Sequence, residues 1–162
     1  MVEQNGAIKF GHATPVLRVS EMAKSLAYYQ QALGFEVAFR VPNNEHAYFA
    51  GIFRGEASLF LSVGDQGHFG SWVWIDGKDV TALYAELVEK GAVIRNPPTN
   101  YSWALEIQVE DPDGNILRFG SDPIPGQSQG AWLDMHGYRW LPQADGGWKR
   151  EEVKVNEEIE NE

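Results

Sequence analysis

"ATPVLRVSEMAKSLAYYQQALGF", residues 13–35, decides the fold, because 57 positions later "GSWVWIDGKDVTALYAELVEKGA", residues 70–92, runs through the same pattern. In the first stretch Ser20 is placed to cap a helix, with Glu21 near the positive end of its dipole. Met22, Leu26, Tyr29 and Leu33 follow at helical spacing, and Gly34 supplies the stop. In the second, Asp79 caps; Val80, Leu83, Leu87 and Tyr84 form the apolar stripe; Gly91 ends it. Leu83 matches Leu26 and Gly91 matches Gly34 at that same offset of 57. A strand precedes each helix, "PVLRV" or "SWVWI", and more strands follow. They are "FEVAFR", "HAYFAGIFR" and "ASLFLSV" in the first copy, and "AVIRN", "LEIQVED" and "NILRFG" in the second. Turn signals "PNN", "RGE" and "DPDG" separate them. The unit is strand, helix, three strands, written twice. A single copy leaves one sheet face bare, so the copies must pack on each other or on another chain.

The rest of the chain bounds the class. At 162 residues it can bury a proper core as one domain. It has no cysteine, which excludes disulfides and thiolate metal sites. No apolar run is long enough to span a bilayer, and "MVEQNGAIKF" lacks the regions of a signal peptide, so the cytoplasm is the expected location. A formal charge of −10 argues against nucleic acid and anionic membrane as partners and leaves a cationic ligand open.

The order of elements is typical of the vicinal oxygen chelate superfamily, which the chain resembles from about Ala13 to Ser121. Its "DPDGNILRF" after a W-x-x-E stretch carries part of that likeness. The superfamily includes glyoxalase I, extradiol dioxygenases, fosfomycin-resistance enzymes and bleomycin-binding resistance proteins. The resemblance implies an α+β fold of two tandem βαβββ modules, about 13–63 and 70–121, forming a cup-shaped, curved mixed sheet. The metalloenzymes of the group place His, Gln or Glu on the first strand of each module and Glu near the end of the last. The matching positions here are Thr14 and Ser71, then Leu61 and Arg118, again paired by the offset of 57. That set does not hold a divalent cation. His12, His46, His68 and His136 lie off the ligand positions and read as surface or loop residues, so no metal and no cofactor are expected.

The detailed likeness is to the metal-free bleomycin-resistance branch, through "ATPVL", "AYFAGIFRGEASLFLS" and "SWVWIDG". It implies a homodimer, with Pro15 where an N-terminal arm (residues 1–12) crosses to the partner. It also implies a drug cleft lined by Phe39, Phe49, Trp72 and Trp103, with Ser62 beside it. Alternation alone puts Trp72 and Trp74 on one face and gives Phe49 and Phe53 the same parity; each of these rings suits either a core or a ligand site. Six tryptophans are many for a domain this size, and their faces stack flat cations at about 0.5–2 kcal/mol per contact. The expected function is sequestration of a planar cationic drug of the bleomycin kind, without chemistry. A lyase, isomerase or dioxygenase of the same superfamily and a metabolite-binding module stay open as alternatives. Glu106 is the one strand carboxylate expected to face the cup, in a structural or ligand-charge role. Residues 122–150 carry Trp132, Trp140 and Trp148 among Gly, Pro and Gln with no sustained period, and are expected to dock on the body. Trp74 and Trp132 are expected to serve packing. "EEVKVNEEIENE", residues 151–162, reads as a solvated or disordered acidic tail.

Overall fold

The computed structural model describes Ile8 and residues 10–155. Most of the expected arm (residues 1–7 and 9) and residues 156–162 of the expected tail lie outside the described residues.

The first module runs β1 (Val16–Arg18), α1 (Met22–Gln31), β2 (Glu36–Val41), β3 (Phe49–Arg54) and β4 (Ala57–Ser62). The second repeats it as β5 (Trp72–Asp76), α2 (Val80–Glu89), β6 (Val93–Asn100), β7 (Leu105–Glu110) and β8 (Ile116–Ser121). The sheets have matching orders, β1-β4-β3-β2 and β5-β8-β7-β6. In each, the first strand lies parallel to the last, as a helical crossover allows, and the other neighbours are antiparallel. The sheets are therefore mixed, as expected, but they are two separate sheets, not one closed surface. Gly34 (φ +69°) and Gly91 (φ +75°) end the helices in the left-handed region. Asp79 caps α2 by accepting the Ala82 N–H at 2.9 Å. Ser20 does not cap α1: Glu21 holds that position, and the Ser20 N–H donates to Asp113 Oδ1 at 3.0 Å. Among the described residues no helix is long and apolar enough to cross a membrane.

One core serves both modules. Leu17, Ile52, Leu59 and Leu61 of the first join Ile107, Val109 and Leu117 of the second, with Tyr29 and Leu87 from the two helices. Polar ties fix the angle between them. The Tyr29 hydroxyl donates to Asp111 Oδ2 at 3.0 Å, the Tyr28 hydroxyl donates to the Glu110 carbonyl at 2.7 Å, and Arg54 pairs with Glu86 at 2.8 Å. Each helix packs its buried stripe on the core face of the sheets, so each sheet keeps one face turned away from the core.

The register corrects the sequence at one point. Ile52 pairs with Leu59 across β3–β4, whereas Val109 pairs with Leu117 across β7–β8, so "DPDGN" holds one residue more than the turn in the first module. Ala50 and Ile52 still match Ile107 and Val109 at the offset of 57, all four in the core. On the closing strands the match moves by one. Leu61 corresponds to Phe119, and Arg118 to Phe60; on the opening strands Thr14 corresponds to Trp72 and not to Ser71. A slip of one residue exchanges the two faces of a strand. Leu61 is thus in the core, while Arg118 faces away from it.

The chain beyond Ser121 is more ordered than its composition implies. It forms a third sheet, β11-β10-β9, from β9 (Trp132–Leu133), β10 (Tyr138–Pro142) and β11 (Trp148–Lys154). The acidic stretch expected to be a free tail starts inside β11, where Glu151 pairs with Arg139 at 2.7 Å. Strand pairing and this ion pair override the local composition.

Burial is the leading effect on Asp111 and raises its carboxyl above the ordinary range, against hydrogen bonds from Asn115, Asp113 and Tyr29 that favour the charged form. The folded protein therefore binds this proton more readily than the unfolded chain, and Asp111 ionises at a cost as pH rises. Tyr29→Phe removes a charge-assisted donor from that buried carboxylate. It is expected to lower unfolding free energy by about 1–2 kcal/mol at pH 7 and by less near pH 4, measured by urea denaturation.

Candidate functional site

The outer face of the second sheet is organised by one buried carboxylate. Glu106 on β7 lies opposite Gly120 on β8, and Trp74 on β5 lies opposite Arg118 on β8, so all four share that face. The Trp74 indole lies flat across Gly120, where an added Cβ would come within 2.6 Å of the ring. Its Nε1 then reaches Glu106 Oε1 at 3.2 Å. Trp103 Nε1 donates to the same oxygen at 2.6 Å, and Arg118 forks onto both oxygens at 2.8–3.0 Å. Glu106 is only 2% exposed. With two indoles and a guanidinium on it, the carboxylate has a structural role and offers no free charge to a ligand.

Above this pair stand four indoles. Trp72 and Trp103 come from the second module and Trp132 and Trp148 from the third sheet; with Gln108 and Arg118 they enclose a pocket of about 280 Å³. Tyr101 stacks on one face of Trp103 (4.8 Å, 5°), and Trp140 on one face of Trp132 (5.3 Å, 10°). Trp148 meets Trp103 at 5.8 Å and Trp132 at 6.4 Å, joining the two stacks at a corner. Trp103 remains 48% exposed. The Arg95 guanidinium lies 5.6 Å from the Trp72 ring centre. It also donates to Gln108 Oε1 at 2.6 Å and to the Leu133 and Asp134 carbonyls. Burial, then the nearby Glu106 charge, pushes the Tyr101 hydroxyl up to about 12, so it stays protonated and donates to the Ala131 carbonyl at 3.0 Å.

The five residues expected to line one cleft fall into two groups. Trp72 and Trp103 share the pocket just described. Phe39 and Phe49 lie on the first sheet's outer face, stacked at 6.2 Å and both against Phe60, with Ser62 paired to Phe49 across β3–β4. The Phe39 ring lies across Gly51 in the way Trp74 lies across Gly120. Among the described residues no ring pair links the two groups within the chain. Trp132, expected to serve packing, and Trp148, given no site role in the sequence, also line this pocket. The density of tryptophan in "AWLDMHGYRWLPQADGGW" was the available signal.

The corrected register also tests whether a divalent ion fits the outer faces. Val16 and Phe60 occupy β1 and β4 of the first sheet, and Trp74 and Arg118 occupy β5 and β8 of the second. These donors do not fit a metal of the expected superfamily type. Among the described residues no three His, Asp or Glu side chains converge on one point. A larger groove of about 520 Å³ between the modules, lined by Pro15, Glu56, Leu59 and Val73, presents His12 and Trp74 as its aromatic side chains.

Residues 9–119 match the family model described as Glyoxalase/Bleomycin resistance protein/Dioxygenase superfamily. Among solved structures, the chain is similar to a bleomycin-binding protein from bleomycin-producing Streptomyces verticillus, solved with copper(II)-bleomycin. Identity is 27%, TM-score 0.59, with 70% of this chain and 98% of that one covered. It is similar in fold to TnmS3, an antibiotic-binding protein from Streptomyces sp. CB03234 (23%, TM-score 0.61, 72% and 99%). TioX from Micromonospora sp. ML1 shares the fold as well (18%, TM-score 0.61, 68% and 98%). No curated protein sequence matches the chain.

Arg118→Met leaves the Glu106 carboxylate buried without its cation, and is expected to cost about 3 kcal/mol of stability. Adding Glu106→Gln should restore part of that loss. Urea denaturation of the single and double variants checks both, and equal stability of Arg118→Met and parent contradicts the structural role given to Glu106.

Proposed function

Because the chain belongs to the glyoxalase/bleomycin resistance protein/dioxygenase superfamily, we propose that it is a binding protein of the cytoplasm that sequesters a flat, positively charged, drug-like molecule without transforming it. The observation that carries this reading is the indole-lined pocket over a carboxylate already occupied by Arg118. Indole faces stack on planar heteroaromatic rings and attract cations. An acidic group held by an arginine and two indoles is a poor general base, because its lone pairs are already taken. The similarity to a protein solved with copper(II)-bleomycin supports a glycopeptide drug of that kind as the first ligand to try. A protein of net charge −10 also draws cations from solution through a field that salt screens.

Trp72 and Trp103 are the proposed ligand contacts. Phe39, Phe49 and Ser62 stand on the other sheet, and the exposed apolar side chains of that module, Phe39 at 42% with Val41 and Tyr48, suit burial against a second copy. A two-fold dimer at micromolar concentration is the proposed assembly; sedimentation equilibrium showing a monomer removes it.

Calorimetric titration with copper(II)-bleomycin, metal-free bleomycin and ethidium tests the function. One ligand per chain is expected, with no turnover, and with chelator leaving the melting temperature and the metal-free titrations unchanged. Trp103→Ala should weaken binding by about 1–3 kcal/mol, and raised ionic strength should weaken it further. Melting curves of the variant separate lost affinity from lost fold. A stable Trp103→Ala that binds every probe like the parent places the site elsewhere.

A further inference from the structure

The family match ends at residue 119, before β9 begins, and 98–99% of each of the three solved relatives corresponds to 68–72% of this chain. The third sheet is therefore additional to the shared fold, and it lies where it changes the pocket. We propose that the C-terminal sheet completes the ligand site within the same chain, with Trp132 and Trp148 as the wall facing Trp72 and Trp103. The resulting box takes one fused, flat aromatic ring system. This inference rests on the binding function proposed above and adds to it the residues that select the ligand.

Four observations support it. First, the pocket is made by both parts: Trp72, Trp103 and Arg118 from the second module, Trp132 and Trp148 from the extension. Second, the backbone on either side of Trp132 is pinned to the body. Tyr101 donates to the Ala131 carbonyl, and Arg95 and Gln108 both donate to the Leu133 carbonyl. The indole is further held by Trp140, whose own Nε1 donates to Asp134 at 2.9 Å. A wall fixed this firmly loses little freedom when a ligand enters. Third, Tyr101 stacks on one face of Trp103 and Trp140 on one face of Trp132, with Trp148 set at an angle to both. A sheet that served only as a clamp would pack these rings shut, yet a space of about 280 Å³ remains among them. That is the small end of drug-sized pockets, suited to a ring system and not to a whole large ligand. Fourth, Arg118 and both indole N–H groups on Glu106 neutralise the only buried carboxylate at the base. Recognition therefore comes from ring faces. The partner's Phe39 and Phe49 are not needed to close the site.

The test is titration of the full chain with proflavine, a flat tricyclic cation, and with copper(II)-bleomycin. Trp132→Ala and Trp148→Ala are compared with Phe39→Ala, each checked by circular dichroism and melting. Trp148→Leu, which keeps apolar volume without a π face, carries the comparison if the alanine variant does not fold. Tenfold or weaker binding by the Trp132 and Trp148 variants is expected, with Phe39→Ala within twofold of the parent. On the parent itself, nuclear Overhauser contacts from proflavine ring protons should reach the indole protons of Trp132 and Trp148. Contacts confined to Trp72 and Trp103 overturn the proposal, as does a folded Trp148 variant with parental affinity or a Phe39→Ala loss equal to that of Trp148. If Trp103→Ala loses affinity while the Trp132 and Trp148 variants do not, the binding function stands and only this inference falls. A parent that binds neither probe overturns both.

Discussion

The carboxylate of Asp111 fixes how the two modules meet, and most of the molecule follows from that. It accepts the Tyr29 hydroxyl from α1, the backbone N–H groups of Asp113 and Asn115, and the Asn115 side-chain amide. Asn115 in turn donates to the Arg18 carbonyl at the end of β1 and accepts the Ser71 N–H before β5. Asp113 receives the Ser20 N–H and the Ser25 hydroxyl at the start of α1. One turn thus ties the opening strand of each module and the first helix to the same few atoms. Burial alone would push Asp111 toward its neutral form, and four donors oppose that push. A buried acid is tolerable here because its lone pairs are filled.

Once helices and inner sheet faces share a core, two outer faces remain, and the chain treats them differently. On the first sheet Phe39, Phe49 and Phe60 lie against one another and stay partly exposed. On the second sheet the third sheet comes alongside, held by Arg95, Gln108 and Tyr101. The same module, used twice, therefore yields one face suited to a neighbouring molecule and one enclosed by its own chain. The difference comes from 40 or so residues that the repeat does not contain, on the order of a small domain's sub-element.

The repeat, both helices and all eight strands of the modules were legible, because apolar spacing and glycine stops are local signals that packing then reinforced. The register of the closing strands was not. A turn of "RGE" and one of "DPDG" both read as tight turns, and only pairing shows that the second displaces the register by one residue. That single residue moved Leu61 into the core and left Arg118 outside it. Ser20 looked like a cap, but Asp113 on the other module takes its N–H, a partner 93 residues away that no local pattern reveals. In the extension, β9 has two residues and β10 five, too short for alternation to emerge. Of the rings that line the candidate pocket, the sequence singled out Trp72 and Trp103. It did not place Trp148 beside them, because that position depends on a hairpin that turns at "ADGG" and on the docking of the whole sheet.

The surroundings of Glu106 support the proposed binding role over a catalytic one. A general base must present a lone pair to a substrate proton, and its conjugate acid must be accessible near working pH. Here Oε1 receives Trp74, Trp103 and Arg118, and Oε2 receives Arg118 twice. A substrate would have to displace one of these charge-assisted donors to reach either oxygen. The same bonds orient Trp74 across Gly120 and set the edge of Trp103, so the carboxylate acts through the rings it positions. Charge then works at two ranges. Under the proposed function, affinity within this locally neutral pocket comes from indole faces. Beyond it, the net charge of −10 attracts cations, and for a flat cationic ligand it would act on the rate of arrival more than on residence.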